Sequence, residues 1–168
     1  MERLKQGLEF VAISLVILAA IYLAPILTTK EIDVTRQAII YKIGDEASAV
    51  ETTITIRGEL HKPWNKEGEF RGRIMIEELP NTIAYELSPL MIYYKEKGMN
   101  SSVLFYFSNS KGFIRNKLYL PGNIQFDNKF SKIIMWVAQD GERYEVVAEA
   151  RTMEEALALR QQYELVDY

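Results

Sequence analysis

The chain has 168 residues, 48% hydrophobic and 26% charged, with a net charge of −3, one His and no Cys. That length carries one ordinary domain, or one domain plus an appendage, and not two full cores. The missing Cys excludes a disulfide scaffold, a thiolate metal site, a Cys nucleophile and a lipidated N-terminal Cys; the lone His excludes a multi-His metal centre. Slight acidity gives no electrostatic case for nucleic acid.

From Leu8 to Leu27, 17 of 20 residues are apolar, the exceptions being Glu9, Ser14 and Pro25. As a helix, the uncharged run Phe10–Leu27 would span about 27 Å, close to the ~30 Å hydrocarbon core of a bilayer. A buried core helix would be unusually long here. A cleaved signal peptide needs small residues at −3 and −1 of the cut. Cutting after Ala24 leaves Tyr22 at −3 and Pro25 beyond, and cutting after Ala20 leaves Leu18 at −3. An uncleaved signal-anchor fits better. Residues 1–29 then read as a cytoplasmic tip and transmembrane anchor, with the lipid bilayer as the partner of residues 8–27. Arg3, Lys5 and the free amine precede the span, whereas Lys30 is followed at once by Glu31 and Asp33. The positive-inside rule places the N-terminus in the cytoplasm and the remainder outside, at the cell membrane.

Residues 30–49 read as a juxtamembrane stalk. Asp33 suits a helix N-cap, Val34, Ala38 and Tyr41 share one face, and Gly44 suits a C-terminal stop. The run Ala38–Tyr41 also fits a strand. From Val50 the period becomes two. Val50, Thr52, Ile54, Ile56, Gly58 and Leu60 share one face, and Phe70, Gly72, Ile74 and Ile76 repeat the pattern after the polar turn segment 62–68. A hairpin register placing Leu60 opposite Phe70 also sets Gly58 against Gly72 and Ile56 against Ile74. It brings His61 beside Glu69, Glu59 beside Arg71 and, less favourably, Arg57 beside Arg73. The facing glycines leave a gap on the inner face, with Trp136 as the candidate to fill it.

Leu79–Asn100 holds Pro80, Pro89 and the run Leu90–Tyr94, and reads as an extra strand, a loop or an exposed partner-binding segment. Further strands are expected at Ser102–Ser108, Gly112–Leu120, Lys132–Gln139 and Tyr144–Glu149, with turns at Asn109–Gly112 and at Asp140-Gly141. Thr152 and Glu155 form a capping box that opens a closing helix. The fold class is mainly β: an N-terminal transmembrane helix, an antiparallel β-sandwich or partly open barrel over residues 50–168, and a C-terminal amphipathic helix docked on the sheet.

Few residues carry chemistry. His61 sits in a strand-to-loop turn. Glu77-Glu78 point to opposite faces, and Glu155 is used in capping, so neither acidic pair makes a local dyad. The aspartates lack Ca²⁺-loop spacing, and the glycines form no P-loop or dinucleotide fingerprint, so no cofactor is implied. Asn100-Ser101-Ser102 matches a glycosylation sequon. Tyr93, Tyr94, Phe105, Tyr106, Phe107, Phe113 and Tyr119 suit a core or, alternatively, a ligand groove. Trp64, Met91, Tyr93 and Tyr94 are the candidate partner-binding residues.

The succession "ITIRGEL", "EFRGRIMIEEL", "KFSKIIMWV" and "ARTMEEALAL" behind an N-terminal span resembles a group of small membrane-attached extracytoplasmic proteins of Gram-positive bacteria, without an assigned function. The resemblance is carried by Gly58, Phe70, Gly72, Ile74, Ile76, Phe130 and the Thr152–Leu157 helix start. It implies an anchored β domain and no reaction. The expected role is non-enzymatic binding or structure at the cell envelope, with an envelope protein as partner. The alternatives are a cell-surface hydrolase with carboxylates gathered across the sheet, and a small-ligand or lipid-binding β domain.

Overall fold

The computed structural model describes residues 11–19, 29–62, 67–94, 98–107 and 118–163. Residues 11–19 are helical (α1), and their large apolar side chains are exposed. Among the described residues no helix is long and apolar enough to cross a membrane; the rest of the expected span lies outside them.

Among the described residues nine strands follow: β1 (Thr29–Lys42), β2 (Asp45–His61), β3 (Gly68–Ile76), β4 (Glu86–Leu87), β5 (Leu90–Tyr94), β6 (Asn100–Phe107), β7 (Leu118–Phe126), β8 (Ile133–Gln139) and β9 (Glu142–Ala148). A short helix α2 (Pro80–Ala84) separates β3 from β4, and α3 (Met153–Tyr163) closes the described chain. Every ladder is antiparallel. The sheet order β4-β6-β5-β3-β2-β1-β9-β8-β7, with β6 also paired to β7, closes a ring of eight strands. The two-residue β4 joins the far half of β6, on the edge that β5 uses at its start. The expectation of a sandwich or partly open barrel is thus refined to a closed barrel, which leaves no long edge strand to protect.

Residues 30–49 depart from the expected stalk. They form β1 and the start of β2, a hairpin closed by Ile43-Gly44 between paired Lys42 and Asp45. Gly44 has φ 91°. A left-handed glycine ends a helix and also turns a hairpin, so the same residue signals both. The strand period was hidden because Ala38 and Ile40 face the barrel core while Ile39 and Tyr41 are buried on the other side. A strand covered on both faces reads as a continuous apolar run.

The β2–β3 register matches the expectation, with Leu60 opposite Phe70, Gly58 opposite Gly72 and Ile56 opposite Ile74. Gly58 has φ 156°, and a Cβ there would lie 2.2 Å from the Arg71 carbonyl oxygen. A Cβ on Gly72 would lie 2.1 Å from the Arg57 oxygen, so the strands approach closely only because both positions lack side chains. Trp136 does not fill the inner face. On β8 it is Ile133, Met135 and Val137 that enter the core, and the half-buried Trp136 has the opposite parity. Cross-strand charges also rearrange. Arg71 pairs with Glu69 at 2.9 Å and His61 with Glu59 at 3.3 Å, each along its own strand. Arg57 reaches Asp33 on β1 at 3.1 Å, and Arg73 donates to the Ile83 carbonyl, which separates the two like charges.

The barrel interior is filled by apolar side chains, with Phe70, Phe126, Phe130 and Tyr106 among the largest. Phe130 stacks on Phe126 at 4.4 Å and lies 5.3 Å from Phe70. It is carried by the 127–132 turn, where it adopts φ 51°. The Asp127 carboxylate holds that turn by accepting from the Ser131 amide at 2.6 Å, its hydroxyl at 2.5 Å and the Lys132 amide at 3.2 Å. Tyr106 donates to the Ile74 carbonyl at 2.8 Å, satisfying its buried hydroxyl. Leu90–Tyr94 is the extra strand, and Asp140-Gly141 turns β8 into β9 with both residues at positive φ. The Asn109–Gly112 turn lies outside the described residues.

Helix α3 docks on the outer wall as expected. Ala156, with Met153, Leu159 and Tyr163, covers Ile39, Tyr41, Ile134 and Val147. The Thr152 hydroxyl accepts from the Glu155 amide at 3.2 Å, while Glu155 reaches back to the Arg151 amide at 2.8 Å, one residue earlier than the usual box.

Candidate functional site

Among the described residues apolar side chains fill the core, and three features stand out on the outer surface. The first is a groove created where β9 stops short of β1. Their ladder ends at Ala38 opposite Ala148, yet β1 begins nine residues earlier, at Thr29. Glu149 takes φ 66° and donates its amide to the Gln37 carbonyl at 2.9 Å; beyond it Ala150 is buried beneath α3 and Arg151 is exposed. The result is an open cleft of about 520 Å³, lined by Gln37, Glu51, Thr53, Glu77 and Arg151 among others. A neighbouring cleft of about 320 Å³ shares Gln37 and Arg151 and adds Thr35, Arg36 and Glu149. The Arg36 Nε is buried there without a hydrogen-bond partner among the described residues.

Glu51 and Glu77 come from adjacent strands: the Glu77 amide bonds to the Thr53 carbonyl at 3.1 Å, so Glu51 sits diagonally across on the outward face. Both carboxylates and Arg151 are exposed, and none forms an ion pair among the described residues. The groove therefore carries two carboxylates and the Arg151 guanidinium, with Arg36 and Glu149 in the neighbouring cleft.

The second feature is apolar. Leu90 and Ile92 of β5 enter the core, so Met91 and Tyr93 project outward, 44% and 49% exposed. On neighbouring β6, Leu104 and Tyr106 enter the core and Val103 projects outward, 46% exposed, with Phe105 half-buried on the same parity. Met91 lies opposite Glu69 in the β3 ladder. Tyr94 is described by its backbone, which pairs with Asn100. Trp64 lies outside the described residues, so of the four expected partner-binding residues Met91 and Tyr93 share one outward face of β5.

The third feature is a polar trio at the edge of α3, with Tyr41 and Glu145 buried and Arg160 exposed. Tyr41 donates to Glu145 Oε2 at 2.6 Å, and Arg160 Nε lies 3.4 Å from Glu145 Oε1, an ion pair without hydrogen-bond alignment. Burial, reinforced by the Glu145 carboxylate, pushes the Tyr41 phenol far above its ordinary value, so it stays a neutral donor. The trio orients α3 rather than offering an open site. Glu145 matches an outward polar strand position; its burial follows only from α3 docking.

His61 is engaged at both ring nitrogens, by the Thr29 hydroxyl at 2.9 Å and by Glu59. Asn100 is 1% exposed and donates to the Phe126 carbonyl and to Asn128, so the sequon asparagine is structural in this fold. Among the described residues no group of three or more His, Asp or Glu side chains is placed to hold a metal ion. No family model, curated protein or solved structure matches the chain.

Proposed function

We propose that this chain is a single-pass, membrane-anchored domain, N-terminus in the cytoplasm, that serves a non-enzymatic binding role on the extracytoplasmic side of the cell envelope. The observation that carries the binding role is the outward apolar strip of Met91, Tyr93 and Val103 on adjacent strands of a barrel whose interior is already filled. Contiguous exposed apolar residues on a well-packed domain mark a protein contact surface. Anchoring is supported by the apolar run Leu8–Leu27 and by the exposed apolar side chains of α1. The filled interior speaks against the carrier alternative, which needs an enclosed apolar cavity.

Pulldown from detergent, with residues 1–29 retained, tests the partner. The intact chain is expected to retain an envelope protein and a Met91→Asp, Tyr93→Asp double variant to lose it; equal retention removes this strip from the reading. Protease shaving of intact cells tests topology, and a protected barrel overturns the N-in orientation. One observation favours a second reading. Glu51 and Glu77 line one cleft, as a surface glycoside hydrolase with an acid and a base or nucleophile would require. Hydrolysis of envelope glycan that disappears in both Glu51→Gln and Glu77→Gln would establish it over the binding role.

A further inference from the structure

The ring of strands is complete, but β1 is not paired on both sides along its whole length. It bonds β2 from Thr29 to Lys42, and β9 only from Ala38 to Lys42. In an antiparallel strand the amide and carbonyl of one residue point to the same side, and that side alternates. The Gln37 carbonyl accepts from the Glu149 amide, so Gln37 faces the β9 side. Alternation turns the amides and carbonyls of Glu31, Asp33 and Thr35 the same way, past the point where β9 has ended. Among the described residues these groups have no backbone partner, and the Thr35 carbonyl meets only Arg36 Nη1, at 3.4 Å. Space borders the edge at both ends. The cleft of about 320 Å³ lies at Thr35, Arg36 and Gln37, and another of about 310 Å³ lies where Lys30 and Leu60 face Asn128 and Lys129.

The side chains along this edge specify an occupant. Ile32 and Val34 turn inward, Ile32 buried in the core and Val34 half-buried against it. Arg36 has the same parity, yet it is half-buried, in no ion pair, and its Nε has no hydrogen-bond partner among the described residues. Glu149 lines the same cleft without pairing with it. A carboxylate is a better acceptor for a guanidinium than the long contact to Thr35. We infer that Glu31–Thr35 is a docking edge for an extended segment of a partner protein, which adds a strand antiparallel to β1 where β9 has ended. Main-chain bonds to Glu31, Asp33 and Thr35 supply affinity, and the alternating side chains supply selectivity. The segment carries an acidic residue against Arg36, then apolar residues two and four positions later against Val34 and Ile32. This edge extends the proposed binding role and is separate from Met91 and Tyr93 on β5, with β2 and β3 between.

The test is fluorescence anisotropy with the full chain in detergent and a short labelled peptide. The peptide has a glutamate followed by valines two and four positions later, with threonine elsewhere. Saturable binding is expected. Methylating the alternate peptide amides that face β1 should abolish it, while methylating the other set should leave it. Replacing the peptide glutamate with glutamine should weaken binding about tenfold to the wild-type chain and hardly at all to Arg36→Gln. Thr35→Pro removes an amide that β2 does not use, and should weaken binding without disturbing that ladder. No saturation by ~1 mM peptide, or equal binding of both methylated sets, overturns the docking edge. Either result leaves the Met91 and Tyr93 surface standing, because a Met91→Asp, Tyr93→Asp chain should bind the peptide as the wild type does. Self-association of the chain that Thr35→Pro abolishes also overturns the inference, by showing a second copy on the edge. The methylated peptides decide the matter on the wild-type chain even where a variant folds poorly.

Discussion

Strands β2 and β3 stand beside β1 and β9 in the same wall, yet the two pairs use their outward faces in opposite ways. On β2, the outward Glu51, Arg57 and Glu59 are exposed, and the ion pairs of Arg57 and Glu59 run between or along strands in water. On β1 and β9, the outward Ile39, Tyr41, Glu145 and Val147 are buried beneath α3. The contrast shows that one barrel wall needs two stabilising strategies: a wet face tolerates almost any polar residue, whereas a covered face needs partners for the charge it buries, as Tyr41 and Arg160 supply for Glu145.

The largest expected effect comes from the wet pair, where backbone geometry, not side-chain burial, is at stake. Gly58→Ala introduces a Cβ 2.2 Å from a backbone oxygen at a left-handed φ, and is expected to lower unfolding stability by about 3–5 kcal/mol in urea titration. Next comes the covered pair. Arg160→Ala leaves the 3% exposed Glu145 carboxylate with only the Tyr41 hydroxyl, at a cost of about 1–3 kcal/mol. Adding Glu145→Gln should recover part of that loss, because it removes the stranded charge; a double variant less stable than the single would refute this account.

Between these regimes lies the half-buried 127–132 turn. Partial burial raises the Asp127 carboxyl, but hydrogen bonds from Ser131 and from the backbone amides of Lys132, Ser131 and Lys129 outweigh it and hold the group below its ordinary 3.8. Its folded value is depressed, so its contribution is complete above about pH 3.8 and is lost as the pH falls through the folded value. Acid unfolding of Asp127→Asn should show a flatter limb in that window, with stability lower by about 1 kcal/mol at neutral pH. The smallest effect belongs to the exposed Asp33–Arg57 pair, for which a double-mutant cycle should return ~0.2–1 kcal/mol, falling with added salt.

The same contrast explains what could be read from the chain. Alternation was clear on β2 and β3 because water marks one face, and the facing glycines then set the register residue by residue. Extending that register to Thr53 and Glu77 brings Glu51 and Glu77 together, so half of the groove was legible in principle. Its other wall was not, since Arg36 and Arg151 converge only through the left-handed turn at Glu149. β1 was misread because α3 erases its alternation, and a helix more than a hundred residues away leaves no local trace. Met91 and Tyr93 were legible as outward residues once Leu90–Tyr94 was taken as a strand. Barrel closure was not, since the β9–β1 ladder joins strands from opposite ends of the described barrel.

The ring of strands also has a consequence in time. Around the barrel each strand pairs with a near neighbour in sequence, except at the β1–β9 seam, where Tyr41 and Glu145 meet across 104 residues. Local hairpins close quickly, whereas long-range pairing slows folding. The seam is therefore expected to be the last ladder to form, leaving Ile39 and Tyr41 uncovered until α3 docks. A chain emerging N-terminus first must hold its opening strand unpaired on one edge until nearly all of it has been made.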